Sequence, residues 1–265
     1  MKKIISLAVV LCALAAGAAS AHEFFVITDV KAPKAGDTVP LYLLSTHYFT
    51  VGEELEDIKY NKVYARQNGR RSGALPLKTN SDRVWYETEF KLMGNDPVII
   101  EADRAATYTC VFTDGSRAEG TPNEIKAANP EKSISEVRFL HKVSKTYLNP
   151  DRNDTSFSTP LGYTLEIVPL DNPARLKKGS KAKFRVIYNG QPLPGAKVWA
   201  TYDYYDYKTM NAYEQTGSTD SKGEVTFRIS NSGIWIVGLR DSRTSTFQGF
   251  NTTENNDSIV VFTVQ

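Results

Sequence analysis

From Thr38 onward the chain alternates. In TVPLYLLSTHYF (38–49), IKYNKVYAR (58–66), RVWYETEFK (83–91), PVIIEA (97–102) and TYTCVFT (107–113), apolar β-branched, aliphatic and aromatic residues recur with period two. Polar, Gly, Asn or Asp breaks separate the runs. Period two marks a half-buried strand, and these residue types suit a pleated surface. No long stretch carries a helical stripe. Residues 114–129 are polar, with Gly, Pro and Asn, and predict a long loop with one helical turn at most. SISEVRFLHKVSKTYLN (133–149) fits either period. As a strand it aligns Val137, Phe139, His141 and Val143; as a helix it groups Ile134, Val137, Leu140 and His141. The strand is the preferred reading. NPDRNDTSFSTP (149–160) reads as an exposed, turn-forming loop.

A second block begins near Leu170. AKFRVIYNGQPLPGAKVWATY holds two alternating runs around Asn189-Gly190, a strong hairpin signal. TDSKGEVTFRI repeats that design around Lys222-Gly223, and GIWIVGLRD and SIVVFTV supply two further strands. Short strands at this spacing suggest an antiparallel sandwich. Pro169 and Pro173 bracket the boundary. The expected architecture is all-β: two antiparallel β-sandwich-like domains in tandem, 22–168 and 169–265. In ATYDYYDYKTMNAYEQ (200–215), alternation sets Tyr202 and Tyr204 against Tyr205 and Tyr207. A strand edge with its tyrosines over the sandwich is the preferred reading; a rim that stacks on sugars or a partner is the alternative.

The opening 21 residues change the setting. Lys2 and Lys3 precede an apolar run from Ile4 to Ala16, and Ala19-Ser20-Ala21 offers the small residues that a signal peptidase reads. The run is shorter than the roughly 20 residues of a permanent span. Cys12 follows Leu11 inside that run, which does not suit a lipoprotein site. A cleaved signal peptide (1–21) and a periplasmic or secreted protein beginning at His22 are therefore expected, with no span of its own. The full chain has 32 Lys and Arg against 30 Asp and Glu. Loss of Lys2 and Lys3 makes the balance even, so no electrostatic footprint for nucleic acid or anionic lipid is expected. Cys110 then remains as the only cysteine, excluding an internal disulfide and a sulfur-rich zinc site. It alternates with Tyr108 and Phe112 and reads as a small core residue.

Cleavage before His22 would create a free α-amine beside an imidazole. The amine nitrogen and Nδ1 of one residue can close a chelate ring on a metal, and a second histidine completes a three-nitrogen histidine brace. Such donors in tetragonal geometry suit Cu(II) and Ni(II). An α-amine titrates at about 7.7–8.0 and an imidazole at about 6.5, so binding displaces protons and weakens in acid. His47 ends an alternating strand and is the expected second ligand; His141 is the third candidate. Tyr48, Glu23 and Asp29 are candidate oxygen donors or supporting groups. Paired ligands require the His22 and His47 ring centres to lie within about 10 Å, because ligating nitrogens sit about 2 Å from one ion. No HExxH helix, nucleophile elbow or phosphate loop is present, and DRNDTS (151–156) lacks the glycine and terminal glutamate of a calcium loop. No catalytic residue is assigned.

AHEFF at the expected mature start, Thr46-His47-Tyr48-Phe49, PLGYTLEIVPLDNP (160–173) and the series NGQPLPGAKV, TDSKGEVTF and GIWIV together resemble the NikM-like periplasmic family. Its last part also resembles carboxypeptidase-regulatory-like and Ig-like sandwiches. The resemblance covers the whole expected mature chain. It implies a periplasmic, all-β, metal-associated protein that takes up nickel or cobalt and passes it to an inner-membrane transporter component. The family's functional residues carry over as His22 and His47. Relatives often have a histidine near the end of the strand matching WIVGL, where this chain has Leu239 and Arg240. The resulting expectation is a non-enzymatic Ni or Co binding protein. The alternatives are a copper oxidase built on the same brace and an adhesion module that binds glycan or protein without metal.

Overall fold

The computed structural model describes residues 22–148, 151–206 and 208–265. The expected signal peptide, Asn149, Pro150 and Tyr207 lie outside them. In chain order the strands are β1 (Glu23–Ile27), β2 (Thr38–Thr46), β3 (Asn61–Gln67), β4 (Arg70–Arg71), β5 (Lys78–Asn80), β6 (Trp85–Lys91), β7 (Val98–Phe112) and β8 (Arg117–Glu119). Helix α1 (Pro122–Ala128) and β9 (Ile134–Leu148) follow. The remainder are β10 (Leu165–Pro169), β11 (Lys181–Tyr188), β12 (Gln191–Pro192), β13 (Lys197–Tyr202), β14 (Gln215–Ser218), β15 (Glu224–Arg228), β16 (Gly233–Phe247) and β17 (Phe250–Val264).

The protein is all-β and sandwich-like, as the period-two pattern implies. A central sheet of nine strands runs β14-β13-β16-β17-β9-β7-β3-β4, with β8 paired to β7. A four-stranded sheet, β1-β2-β6-β5, covers one face. Residues Phe24, Leu41, Leu43, Ile100 and Leu148 fill the core between them. A second four-stranded sheet, built from β10, β11, β12 and β15, covers the other face. That core holds Ile167, Phe184, Phe227, Trp235 and Phe262. Sandwich packing thus occurs twice, once on each face of a shared sheet. The two halves join where β17 runs parallel to β9, from Thr252 beside Val137 to Val261 beside Thr146. All other strand pairs among the described residues are antiparallel. The boundary at residue 169 falls at the end of β10.

Several elements differ informatively from the sequence pattern. PVIIEA and TYTCVFT form one strand, β7, because the intervening Asp103–Ala106 stretch is absorbed as a register shift against β9 between Arg104 and Thr107. The polar 114–129 segment holds β8 and a seven-residue helix rather than a single turn. Thr121 and Glu124 form a capping box there, and Pro122 occupies the first turn. Cys110 is fully buried with Phe112, Ile125 and Val137 beneath that helix, and burial pushes its thiol up. The tyrosine-rich segment leaves the sheet at Tyr202. Tyr204 has φ 67° and stands 82% exposed, so alternation stops there. Asn189-Gly190 forms the expected hairpin, both residues having positive φ.

β1 explains how the N-terminal end is held. Its four residues from Phe24 to Ile27 are all buried. Phe24 and Val26 enter the core shared with β2, β3 and β7. Phe25 and Ile27 enter another, with Ile234, Ile236, Ile259 and Val261 of the β16–β17 hairpin. β1 is an edge strand, yet its outer carbonyls are answered by side chains of β9. Lys142 Nζ donates to the His22 carbonyl at 3.0 Å and Thr146 Oγ1 to that of Val26 at 2.5 Å. Unpaired edge groups are thereby satisfied.

Candidate functional site

β1 and β2 pair antiparallel with Glu23 opposite Thr46 and Phe24 opposite Ser45. One step further, the same register sets His22 opposite His47. Directly opposed residues in such a pair lie within side-chain contact. The two rings converge accordingly, with centroids 4.1 Å apart. This meets the condition set by the sequence for a shared ion.

Past His47 the chain turns back at once. Tyr48 and Val51 form an isolated bridge, and Thr50 takes φ 68°. Glu53 and Glu54 each donate a backbone N–H to the Ser45 carbonyl at 3.2 Å. This reversal delivers Glu53 to the histidines. Its Oε2 accepts a short hydrogen bond from the His47 backbone N–H, another from Thr46 Oγ1 at 3.0 Å, and lies 3.3 Å from His47 Nδ1. Burial alone would raise the Glu53 carboxyl. The hydrogen bonds from His47 and Thr46 and the nearby imidazoles outweigh it and hold the group below its ordinary value. Glu53 is thus an ionised oxygen donor at neutral pH. Ligand atoms of His22, His47 and Glu53 all lie within 4.8 Å of one another. Two donors about 2 Å from one ion span roughly 4 Å, so small side-chain rotations suffice. Glu54 adds a neighbour: its Oε2 lies 2.7 Å from His22 Nδ1. A chelate through that Nδ1 requires Glu54 to swing aside, and its half-exposed side chain is free to do so.

Two networks frame the cluster. Below His22, Lys142 is 2% exposed and pairs with Glu56 at 2.6 Å; Arg104 Nε and Ser45 Oγ also donate to Glu56, each at 2.6 Å. Burial would raise the Glu56 carboxyl, but the Lys142 charge and the hydrogen bonds from Lys142, Ser45 and Arg104 bring it down to about 2. From the C-terminal half, Asn211 N–H donates to the His47 carbonyl at 3.0 Å. Tyr213 donates a short hydrogen bond to Glu23 and stacks on Trp199, with centroids 4.4 Å apart. Burial raises the Glu23 carboxyl despite that bond, and burial beside Glu23 raises the Tyr213 phenol. A shallow hollow between the halves is lined here by Glu23, His47, Phe49, Trp199 and Tyr213.

His141 is not brought to this cluster. On β9, Lys142 faces His22, so alternation turns His141 to the opposite face of the central sheet. There its Nε2 lies 3.2 Å from Asp103 Oδ1, with the Tyr163 ring 6.2 Å away. Tyr48 contributes backbone rather than its phenol, through bonds with Thr46 Oγ1. Glu23 is taken by Tyr213. Glu53 is the donor that sequence reading missed; the acidic VGEELED run (51–57), which begins four residues after His47, is the signal that could have found it. The PLGYTLEIVPL motif is structural. Glu166 within it, fully buried, pairs with Lys145 of β9 at 2.8 Å and accepts from Leu161 and Gly162 N–H. Tyr163 donates to Glu101, which Arg66 and Arg71 also contact.

These features describe an all-β, sandwich-like protein with two histidines and a glutamate gathered where its N-terminal strand begins. Residues 19–242 match the family described as Domain of unknown function (DUF4198), and the chain belongs to it. No curated protein matches the chain. Among solved structures, the D0-D1 domain of Intimin is 11% identical, with 92% of this chain and 99% of that one covered and a TM-score of 0.20. Native alpha-2-macroglobulin from Escherichia coli, spanning domains MG0-NIE-MG1, is 9% identical, with 86% and 95% covered and a TM-score of 0.20.

Proposed function

We propose that the protein binds a late first-row metal ion through His22, His47 and Glu53, and that the ion is cargo. The observation that carries this reading is the convergence of those three side chains, with all ligand atoms within 4.8 Å. Imidazole and carboxylate donors suit divalent Ni, Co, Cu and Zn. Cleavage before His22 would add the α-amine and complete a three-nitrogen set. The resemblance to the NikM-like family supports nickel or cobalt as the ion and an inner-membrane transporter component as recipient, with a periplasmic location.

The test begins with mass spectrometry of exported protein, to establish whether it starts at His22. Titration with Ni(II), Co(II) and Cu(II) follows, on wild type, His22→Ala, His47→Ala and Glu53→Gln. One ion should bind per chain. Each histidine variant should lose about a hundredfold or more in affinity, because even supporting partners of a ligand are worth about 10–100-fold. Binding should also weaken as pH falls below about 7, since the donors must lose protons. Undiminished binding in both histidine variants would sink the assignment. Oxygen consumption with reductant and bound copper would instead select the oxidase alternative.

A further inference from the structure

At the end of β1 opposite His22, a cleft of about 490 Å³ opens between the β1–β2 loop and the segment that precedes β11. Small-molecule sites commonly have about this volume. Lys31, Lys34, Arg152, Arg175 and Lys177 line it, and no Asp or Glu side chain does. Among the described residues, none of the five forms an ion pair within 4.0 Å. Asp203 feels the charge of Lys31, and Asp37 Oδ2 accepts from the Lys34 backbone N–H at 2.8 Å, but neither carboxylate lines the cleft. In a chain so nearly balanced in charge, five cationic side chains thus surround one cavity whose lining holds no acidic side chain, and like charges repel across a concave surface.

The cleft is also built rather than loose. The Asn172 side chain is buried, and its Nδ2 donates to the carbonyls of Asp151, Arg152 and Asp154 at 2.9, 3.3 and 2.9 Å. Its Oδ1 accepts from Ala174 N–H at 2.8 Å. Arg175 Nε donates to the Arg152 carbonyl at 2.7 Å. The turn that carries Arg152 is therefore tied to the turn that carries Arg175, and two guanidinium groups are presented from a pinned frame. Planar guanidinium forks match the oxygens of a phosphate, and the flanking ammonium groups add charge without geometric demand.

We propose that this cleft is an anion site that takes a phosphate group, either a soluble phosphate or the headgroup of an anionic phospholipid. It is independent of the His22 cluster, and its test needs no metal. Inorganic phosphate is titrated into the purified protein at low ionic strength by calorimetry, with thermal unfolding followed in parallel. Wild type should bind one phosphate saturably and unfold at a higher temperature in its presence. Arg152→Gln with Arg175→Gln should weaken binding by about tenfold or more, as loss of charge-assisted bonds requires. Lys34→Gln with Lys177→Gln removes charge without touching the pinned turns, so a loss there is not a folding defect. Lys126→Gln on α1 should leave phosphate binding unchanged. Flotation with phosphatidylglycerol vesicles, against phosphatidylcholine controls, separates the two sources. Vesicle binding that the same variants abolish and phosphate competes assigns the headgroup; phosphate binding without it assigns the soluble ligand. Phosphate affinity equal in wild type and both double variants, or no saturable binding in either arm, overturns the proposal.

Discussion

Gly52 sits between His47 and Glu53, and its missing side chain lets the turn close. A Cβ there would meet the backbone oxygens of Val84 at 2.2 Å and Arg83 at 2.6 Å. Backbone cannot rotate away, so Gly52→Ala must push the 50–53 turn outward and carry the Glu53 carboxylate off His47. The expected cost is about 1–3 kcal/mol of stability, read as a lowered Tm, together with weaker metal binding than wild type. An unchanged affinity would show that Glu53 is not a donor. Glu56 makes a second prediction at this scale. Its folded value is about 2 against an ordinary 4.5. A depressed acid contributes stability that is present above its unfolded value and lost as pH falls through the folded one. The window is therefore about pH 4.5 down to 2, and the shift corresponds to roughly 3 kcal/mol. Glu56→Gln should flatten acid unfolding over that window. At neutral pH it should destabilise the protein by about 3–5 kcal/mol, because Lys142 and Arg104 are left buried without their carboxylate. An acid-unfolding profile identical to wild type would contradict this.

At the scale of elements, β16 and β17 show why alternation of apolar residues understates strand length. GIWIVGLRD and SIVVFTV mark only the apolar halves. The hairpin continues through SRTSTFQGFNTTENND, with every residue from Gly233 to Phe247 paired to β17. Polar cross-strand pairs stand in for apolar ones there: Arg240 with Asp257 at 2.6 Å, Ser242 with Asn255 at 2.9 Å, and Ser245 with Glu254 of the same strand pair at 2.5 Å. The turn is Gln248-Gly249, both at positive φ. Gly249 at φ 84° has open space around a Cβ, so Gly249→Ala tests conformation alone. It should cost about 1 kcal/mol, which for a chain of this size lowers Tm by about 2–4 °C. A thermal scan showing no decrease would remove the turn from the account.

For the whole molecule, the shared central sheet decides how the halves behave together. The β9–β17 pairing, the buried hydrogen bond from Ile167 N–H to Ser258 Oγ and the two-sided burial of β1 all cross between residues 22–168 and 169–265. Neither half retains its sheet or its core intact without the other. Thermal unfolding should therefore be one transition, with calorimetric and van't Hoff enthalpies equal. Two resolved transitions would show that the halves unfold as separate units. The candidate site depends on the same joint, because Asn211 and Tyr213 reach His47 and Glu23 from the C-terminal half.

What the sequence determined by itself was local. Period two, turn residues such as Asn189-Gly190 and the absence of a helical stripe specify strands and their approximate places, because side-chain alternation and backbone φ are properties of neighbouring residues. The singling out of His22 and His47 also came from the chain alone. Only the tertiary structure decided which histidine joins which. Register between β1 and β2 sets His22 against His47, while one residue of phase on β9 turns His141 to the other face. The tertiary structure also supplied Glu53, through a reversal that Gly52 permits against a distant backbone. It likewise paired β9 with β17, more than a hundred residues apart. Such contacts depend on which surfaces meet in space, and no periodicity within a single strand encodes that.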